Sequence, residues 1–442
     1  MGDISKSVAA AFASLAAHAA AMPVSAQDFE LQNEADMFIA LQDDEEPLQT
    51  SELTWKSVAK WRPSETVRFF LSTRIRIDPV DKLEPGRPAQ EMRSDINKRL
   101  LIGDSMEVEL REAYVALDVL DTDFTLGKQQ IVWGQADGLK VLDIVNPQSF
   151  RSFILEDFDQ SRIPLWSVKV ARRLGPFDIQ GLWIPDRTYH EIPSPDAAFG
   201  FTSLRYLPPV GPNETLVALN PAQRPDRLAG DADYGGKISV FAWGWDIGLH
   251  ALRHYNDRPV YHLQPANGGL TATPIYDRQT TYGASFAKPV GGIVFRGELA
   301  YASGVAWNAA PAGPPEERII EEGKFSYVVA ADWRGIENTL LSLQYFQDRA
   351  FVGSKPLLRP KNDNFITFYA RHETLQDRLT VDFQWLTNLN DGDGLLRPKI
   401  RYELSDSLRF MVGGDWFYGN RQGVFGEFRN VSRAYLRIEC NL

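Results

Sequence analysis

One cysteine, Cys440, is all that the 442-residue chain contains. No internal disulfide can form, so packing, hydrogen bonds and ion pairs must hold the fold. Long apolar runs are missing as well. Beyond about residue 30 nothing approaches the roughly 18 apolar residues that a helix needs to cross lipid, which excludes a helical membrane protein. Positive charge is not in excess: the net charge is −11, without the basic footprint of a nucleic-acid binder. The six histidines, His18, His190, His250, His254, His262 and His372, have no cysteine nearby. His250 and His254 share one strand face, yet no third ligand accompanies them, so the sequence calls for no metal and no cofactor. His372 has no identifiable serine, and the chain reads as a non-enzyme. The stretch Asn388 to Gly394 resembles a calcium loop but lacks the downstream Glu, and reads as a tight turn.

What is abundant is aromatic residues, 12% of the chain, which suits the interfacial girdles of a membrane barrel. From about residue 65, segments of 9 to 13 residues alternate apolar and polar, with turn residues between them. In Val67 to Ile77 the odd positions are almost all apolar, and the even ones place Arg68, Arg74 and Arg76 on the other face. Arg296 and Glu298 oppose Phe295 and Leu299. Asp382 opposes Val381 and Phe383, and Lys399 and Arg401 oppose Ile400 and Tyr402. Arg409 opposes Leu408 and Phe410, while Arg433 and Arg437 oppose Leu436 and Ile438. Short turns near 174–176, 243–244, 288–291, 334–336, 373–376 and 405–407 alternate with long connections near 78–105, 133–163, 187–232, 256–276, 303–321, 347–363 and 417–429. Strands long enough to cross lipid, with short turns at one end and long loops at the other, predict an all-β transmembrane antiparallel barrel of about 16 strands. The segment Leu53 to Trp61 is an extra strand or a lead-in, and 18 strands are the alternative.

The N-terminus predicts export. Lys6, the Ala-rich run Val8 to Met22 and Val24-Ser25-Ala26 make a signal peptide over 1–26. Residues 27–50 carry Asp28, Glu30, Glu34, Asp36 and Asp43 to Glu46, and read as an acidic periplasmic tail ahead of a barrel over 51–442. The last strand is similar to the C-terminal signal read by barrel-assembly machinery, although it ends in Leu442 rather than an aromatic residue. Outer-membrane lipid is then the surrounding partner.

Two loops stand out. The 133–163 connection is apolar and acidic at once, and is expected to fold inward and narrow the pore. Its candidate constriction residues are Trp133, Asp143, Asn146, Glu156, Asp157 and Asp159, the last three facing Arg68, Arg74 and Arg76 to create a transverse field. The proline-rich 187–232 connection is expected to lie outside and cap the pore. The phased wall is net basic, which predicts passive passage of small solutes with a preference for anionic or amphiphilic ones.

The runs Leu110-Arg111-Glu112-Ala113-Tyr114, Leu126-Gly127-Lys128-Gln129-Gln130, Trp133-Gly134, Leu142-Asp143 and Asn146-Pro147 resemble a proteobacterial outer-membrane family catalogued only as a domain of unknown function. So do Leu404 to Leu408, Gly413-Gly414-Asp415 and Phe425 to Phe428. The resemblance implies a porin-like outer-membrane channel. It also implies a periplasmic protein and a resistance-nodulation-division transporter as partners, and hence a second reading as a conduit for hydrophobic or lipid-like compounds. A third is a non-conducting display barrel. The resemblance supplies no catalytic residue.

Overall fold

The computed structural model describes residues 28–43, 47–80, 83, 90–136, 138–225, 227 and 229–442. The expected signal peptide lies outside them. The strands are β1 (Phe29–Gln42), β2 (Leu48–Ser64), β3 (Val67–Ile77), β4 (Leu100–Ile102), β5 (Met106–Val119), β6 (Thr122–Gln129), β7 (Leu165–Leu174) and β8 (Phe177–Ile184). Then come β9 (Leu216–Leu219), β10 (Asp233–Ala242), β11 (Trp245–Tyr255), β12 (Val260–Ala266), β13 (Gly269–Ile275), β14 (Arg278–Val290), β15 (Ile293–Asn308) and β16 (Ile319–Trp333). The last are β17 (Thr339–Ala350), β18 (Asn362–Thr374), β19 (Leu379–Asn388), β20 (Asp393–Ser405), β21 (Leu408–Tyr418) and β22 (Arg433–Asn441). The main sheet holds 19 strands; short β4 pairs only with β5, and the other 18 close into an antiparallel ring through β1 and β22. The remaining strands, β9, β12 and β13, form a separate small sheet within the long connections.

Closure corrects the reading of residues 27–50. Phe29 to Gln42 is a barrel strand, paired along its length with β2 and over Glu34 to Gln42 with β22. Leu31, Ala35, Met37, Ile39 and Leu41 face outward, while Glu30, Glu34 and Asp36 face the lumen with Lys60, Lys56 and Thr54 across the ladder. The acids are therefore one side of an alternating strand. Leu53 to Trp61 lies inside β2, which completes the count of 18.

The predicted short turns all join neighbouring strands at one end of the ring. At Trp243-Gly244 both residues adopt positive φ, 53° and 75°, as a two-residue hairpin requires. Two further turns were not foreseen, at Glu65-Thr66 and Leu120-Asp121; neither contains Gly or Pro. Apolar residues line the outside of the wall and polar ones the inside, so the main apolar clusters sit within the lumen, where loops meet the wall.

Cysteine scanning of residues 29–41 in a Cys440→Ala background tests the closing strand. Odd positions, labelled in the unfolded state with a thiol-reactive fluorophore, are expected to be quenched by bromolipid after refolding, and even positions to react with aqueous thiol reagents in the folded barrel. Uniform aqueous reactivity would mean a free tail.

Candidate functional site: the lumen and its inward loops

The connection between β6 and β7 enters the lumen and crosses it. Its neck is closed by Asn146, whose side-chain oxygen accepts from the Ile131 amide at 2.7 Å and whose Nδ2 donates to the Ile163 carbonyl at 2.9 Å. One buried amide thus ties both ends of the loop, a physical reason for the Asn-Pro pair. Trp133 is buried, and its indole N–H donates to Gln180 on β8 at 2.7 Å. Asp143 accepts from Arg162 at 2.8 Å and pairs with Lys140 at 2.9 Å, which stiffens the loop internally.

A third of the way round the ring, β15 holds the middle of the loop. Glu298 accepts the amides of Gln135, Ala136 (2.8 Å) and Leu142 (3.0 Å). Arg296 beside it donates to the Gln135 carbonyl and is itself held by Asp332 on β16. Hydrogen bonds to a charged group contribute about 1.5–3 kcal/mol each, so the one carboxylate is a strong anchor. Space is made for the contact by glycines. A Cβ on Gly283 would lie 2.2 Å from the Leu142 side chain, and one on Gly134 would lie 2.9 Å from the Asp143 amide.

The loop then reaches the far side of the ring. Phe153 and Leu155 pack with Phe365, Leu386, Leu395 and Phe417 of β18–β21, and the Leu155 carbonyl accepts from Arg397 at 2.7 Å. Phe199 and Phe201 of the 185–232 connection, and Phe425 and Phe428 of the last loop, join the same cluster. The proline-rich connection therefore descends into the lumen as well as lying above it. At the loop end, wall residues as far apart as Glu107 on β5 and Asp393 on β20 are fully buried beneath loops. Towards the turn end the lumen opens into a cavity of about 600 Å³ bordered by Lys60, Arg68, Glu112, Tyr114 and Lys169.

The predicted wall residues separate along this axis. Arg68 borders the open cavity and is about half exposed, in a loose pair with Asp123 at 3.5 Å. Arg74 and Arg76 are buried deeper and paired with Glu109 (2.8 Å) and Glu107 (3.1 Å). The expected field between these arginines and the loop acids takes a different form. Their partners are acids directly across the ladder on β5, in register at Arg74↔Glu109 and Arg76↔Glu107. Glu156 reaches this wall through Arg151, which also binds Glu52. Asp159 meets Arg111 and Gln130 through its backbone carbonyl, while its carboxylate accepts from Gln160 within the loop. Asp157 lies within electrostatic range of Arg397 and Lys399 on β20 and of Arg437 on β22.

On β18–β20 Asp382 is shared by Arg371 (2.7 Å), Lys399 (3.6 Å) and Arg401 (3.6 Å). Arg409 bridges Glu439 and Glu403, Arg433 binds Asp415 at 2.9 Å, and Arg437 binds Asp36 at 3.4 Å. Partners not foreseen include Glu52, Glu107, Glu109, Arg93, Arg99 and Glu191. Glu107 and Glu109 alternate with Met106, Val108 and Leu110, a period-two signal of the kind that marks β3. Arg93 joins Glu109 (2.8 Å) to Glu191 (2.5 Å), and Arg99 adds Glu107 (3.1 Å) and Glu191 (3.0 Å), so one ionic network ties two long connections to the wall. Burial alone would raise the Glu191 carboxyl, but the Arg93 and Arg99 guanidiniums outweigh it and hold the pKa at about 2.

His250 and His254 are ordinary lumen groups, whereas His372 faces outward near the turn end. His250 and His254 share a face as expected, and each bonds a hydroxyl on β14, Ser285 at 3.2 Å and Thr281 at 3.0 Å. His372 bonds Thr339 at 2.9 Å.

Replacing Glu298 with Ala leaves three loop amides without an acceptor. Limited proteolysis of the heat-modifiable barrel is expected to cut within 133–163 in the variant but not in the parent; equal protection would mean the carboxylate does not hold the loop. The Glu191 network has its own acid limit. A depressed folded-state pKa contributes stability above the ordinary carboxylate range that is lost as pH falls towards 2. Protection of the 185–232 connection is therefore expected to persist at about pH 4 and to fail on further acidification, and Glu191→Gln is expected to remove that dependence.

With this geometry in hand, solved structures of similar fold can be compared. The chain resembles OpdK of Pseudomonas aeruginosa, an outer membrane protein, with a TM-score of 0.51 at 10% identity over 94% of this chain and 99% of that one. OccK5 (OpdH) of the same organism gives 0.50 at 11% identity, covering 94% and 98%. OccAB1 of Acinetobacter baumannii gives 0.50 at 8%, covering 94% and 95%. Likeness at such identities is one of fold. No curated protein matches the sequence. The family model described as "Protein of unknown function (DUF1302)" matches residues 99–411. The chain belongs to this DUF1302 family, and its fold is that of an outer-membrane, porin-like β-barrel.

Proposed function

We propose that the protein is a gated outer-membrane channel for small solutes, favouring anionic or amphiphilic ones. The observation that carries this reading is the 133–163 loop, which crosses the lumen and is held on its wall by Glu298 through three backbone amides. A barrel of 16 to 18 strands encloses more space than its own wall side chains fill. Here inward loops fill the loop-end half, and the turn-end half stays open. Displacing the loop joins the two halves.

Anion preference is supported by the wall opposite the loop. Arg371, Lys399 and Arg401 share the single carboxylate of Asp382, which leaves positive charge facing the lumen. A carboxylated solute that took the place of Asp157 beside Lys399 would find a cation already in position. The apolar cluster around Phe153 and Phe425 favours a second reading, a conduit for hydrophobic compounds. That reading is the one that calls for a periplasmic partner and an inner-membrane transporter.

Planar-bilayer recording of the refolded barrel tests the proposal. The parent is expected to show small conductance steps with a reversal potential favouring chloride in a salt gradient. Glu298→Ala is expected to enlarge the steps, and Lys399→Glu with Arg401→Glu to reverse the selectivity. Cation preference in the parent would overturn the anionic reading. Silence from both the parent and Glu298→Ala would overturn the channel.

A further inference from the structure

The lipid-facing positions of β10, β11 and β14 are apolar or aromatic along most of their length, with Ile238, Leu249, Ala251, Ala284 and Phe286 among them, and they carry no carboxylate. Near the loop end this changes. Arg253 points outward from β11 with Tyr234 and Thr280 as its neighbours across the two ladders. One step nearer the loops, Arg278 on β14 pairs in register with Tyr255. Its guanidinium lies 5.7 Å from the Tyr234 ring and 5.2 Å from the Tyr255 ring.

The two arginines differ in what holds them. Arg278 donates to the carbonyls of Gly230 (2.8 Å) and Ala232 (2.7 Å), which fixes its position at the rim. Arg253 is exposed, and no acid among the described residues pairs with it. A guanidinium on a lipid-facing wall is costly unless it meets an anion or water. Arg253 stands eight residues beyond Trp245 at the turn end of the same strand. At about 3.4 Å per residue and a tilt of about 40°, that is roughly 20 Å along the membrane normal, close to the far edge of an apolar band about 25 Å tall. Tyr234 and Tyr282, both more than half exposed, sit at the same level as the aromatic girdle of that edge. The loop end of such a barrel faces outward, so this is the height of outer-leaflet headgroups.

We propose that Arg253, backed by Arg278 and flanked by Tyr234 and Tyr282, binds a phosphate of an outer-leaflet glycolipid. The guanidinium fork matches phosphate oxygens. The tyrosine rings cover the glycolipid's sugar and upper acyl chains, and the apolar strand face below takes the chains. The rim acid Asp231, beside Arg278, is engaged by Arg227 and by the Tyr255 hydroxyl, so the positive charge of Arg253 selects an anionic headgroup over a zwitterionic one. The proposal concerns the outside of the barrel and is independent of what passes through it.

Native mass spectrometry of the barrel in neutral detergent, titrated with bis-phosphorylated lipid A, tests the site. The parent is expected to retain one lipid more tightly than Arg253→Ala by about fivefold, the worth of one basic residue at an anionic surface. Arg253→Lys is expected to lie between them, and Arg253→Glu to abolish the specific adduct. Heat modifiability verifies that each variant is folded. Two probes need no variant: dephosphorylated lipid A is expected to bind weakly, and inorganic phosphate is expected not to compete at equal concentration. Equal retention by the parent and Arg253→Ala, equal binding of dephosphorylated lipid, or competition by free phosphate would each overturn the assignment.

Discussion

Inside a bilayer no water is available to a backbone amide, so every N–H and C=O of a spanning strand must find its partner within the protein. A sheet meets that demand only by closing on itself. Here closure depends on pairing between the first and last strands, Glu34 to Gln42 against Asn441 to Arg433. Everything else rests on this ring. It gives the wall two faces, separates apolar from charged positions, and creates an enclosed lumen in which loops can be held by charge.

Within that lumen burial and charge work together. An arginine as deeply buried as Arg76 or Arg93 is tolerable only with carboxylates beside it. Most of these carboxylates come from the neighbouring strand, so the ladder register sets the pairs, as in Arg74 with Glu109. The few that come from elsewhere, such as Glu191, do something different: they tie long connections to the wall. The basic character of the wall is thus partly consumed in holding the loops, and it survives as a surplus chiefly around Asp382.

Much of this was legible because strands repeat every two residues. The phases of β3, β15, β19, β20, β21 and β22 follow directly from alternation, and the turns at Gly175, Trp243-Gly244 and Gly291 from their residues. The inward course of the 133–163 loop followed from apolar groups that would be costly in water. The first strand was hidden because three of its lumen positions carry Glu30, Glu34 and Asp36, which raises the charge enough to imitate a tail. The turns at Glu65-Thr66 and Leu120-Asp121 were hidden because neither has a breaking residue. The pairing of Arg93 and Arg99 with Glu191 was beyond reach for a different reason. It depends on where two long connections meet, and sequence spacing does not encode that meeting.

The neck made by Asn146 has a mechanical consequence. A long loop anchored only at its two strand ends can peel away from the wall a residue at a time, and its average position then drifts. Pinching Ile131 to Ile163 through one side chain removes that freedom, because the segment beyond the neck becomes a closed unit with its own internal pairs at Asp143. If the loop gates the pore as proposed, a unit closed in this way moves as one piece, a latch and not a dial.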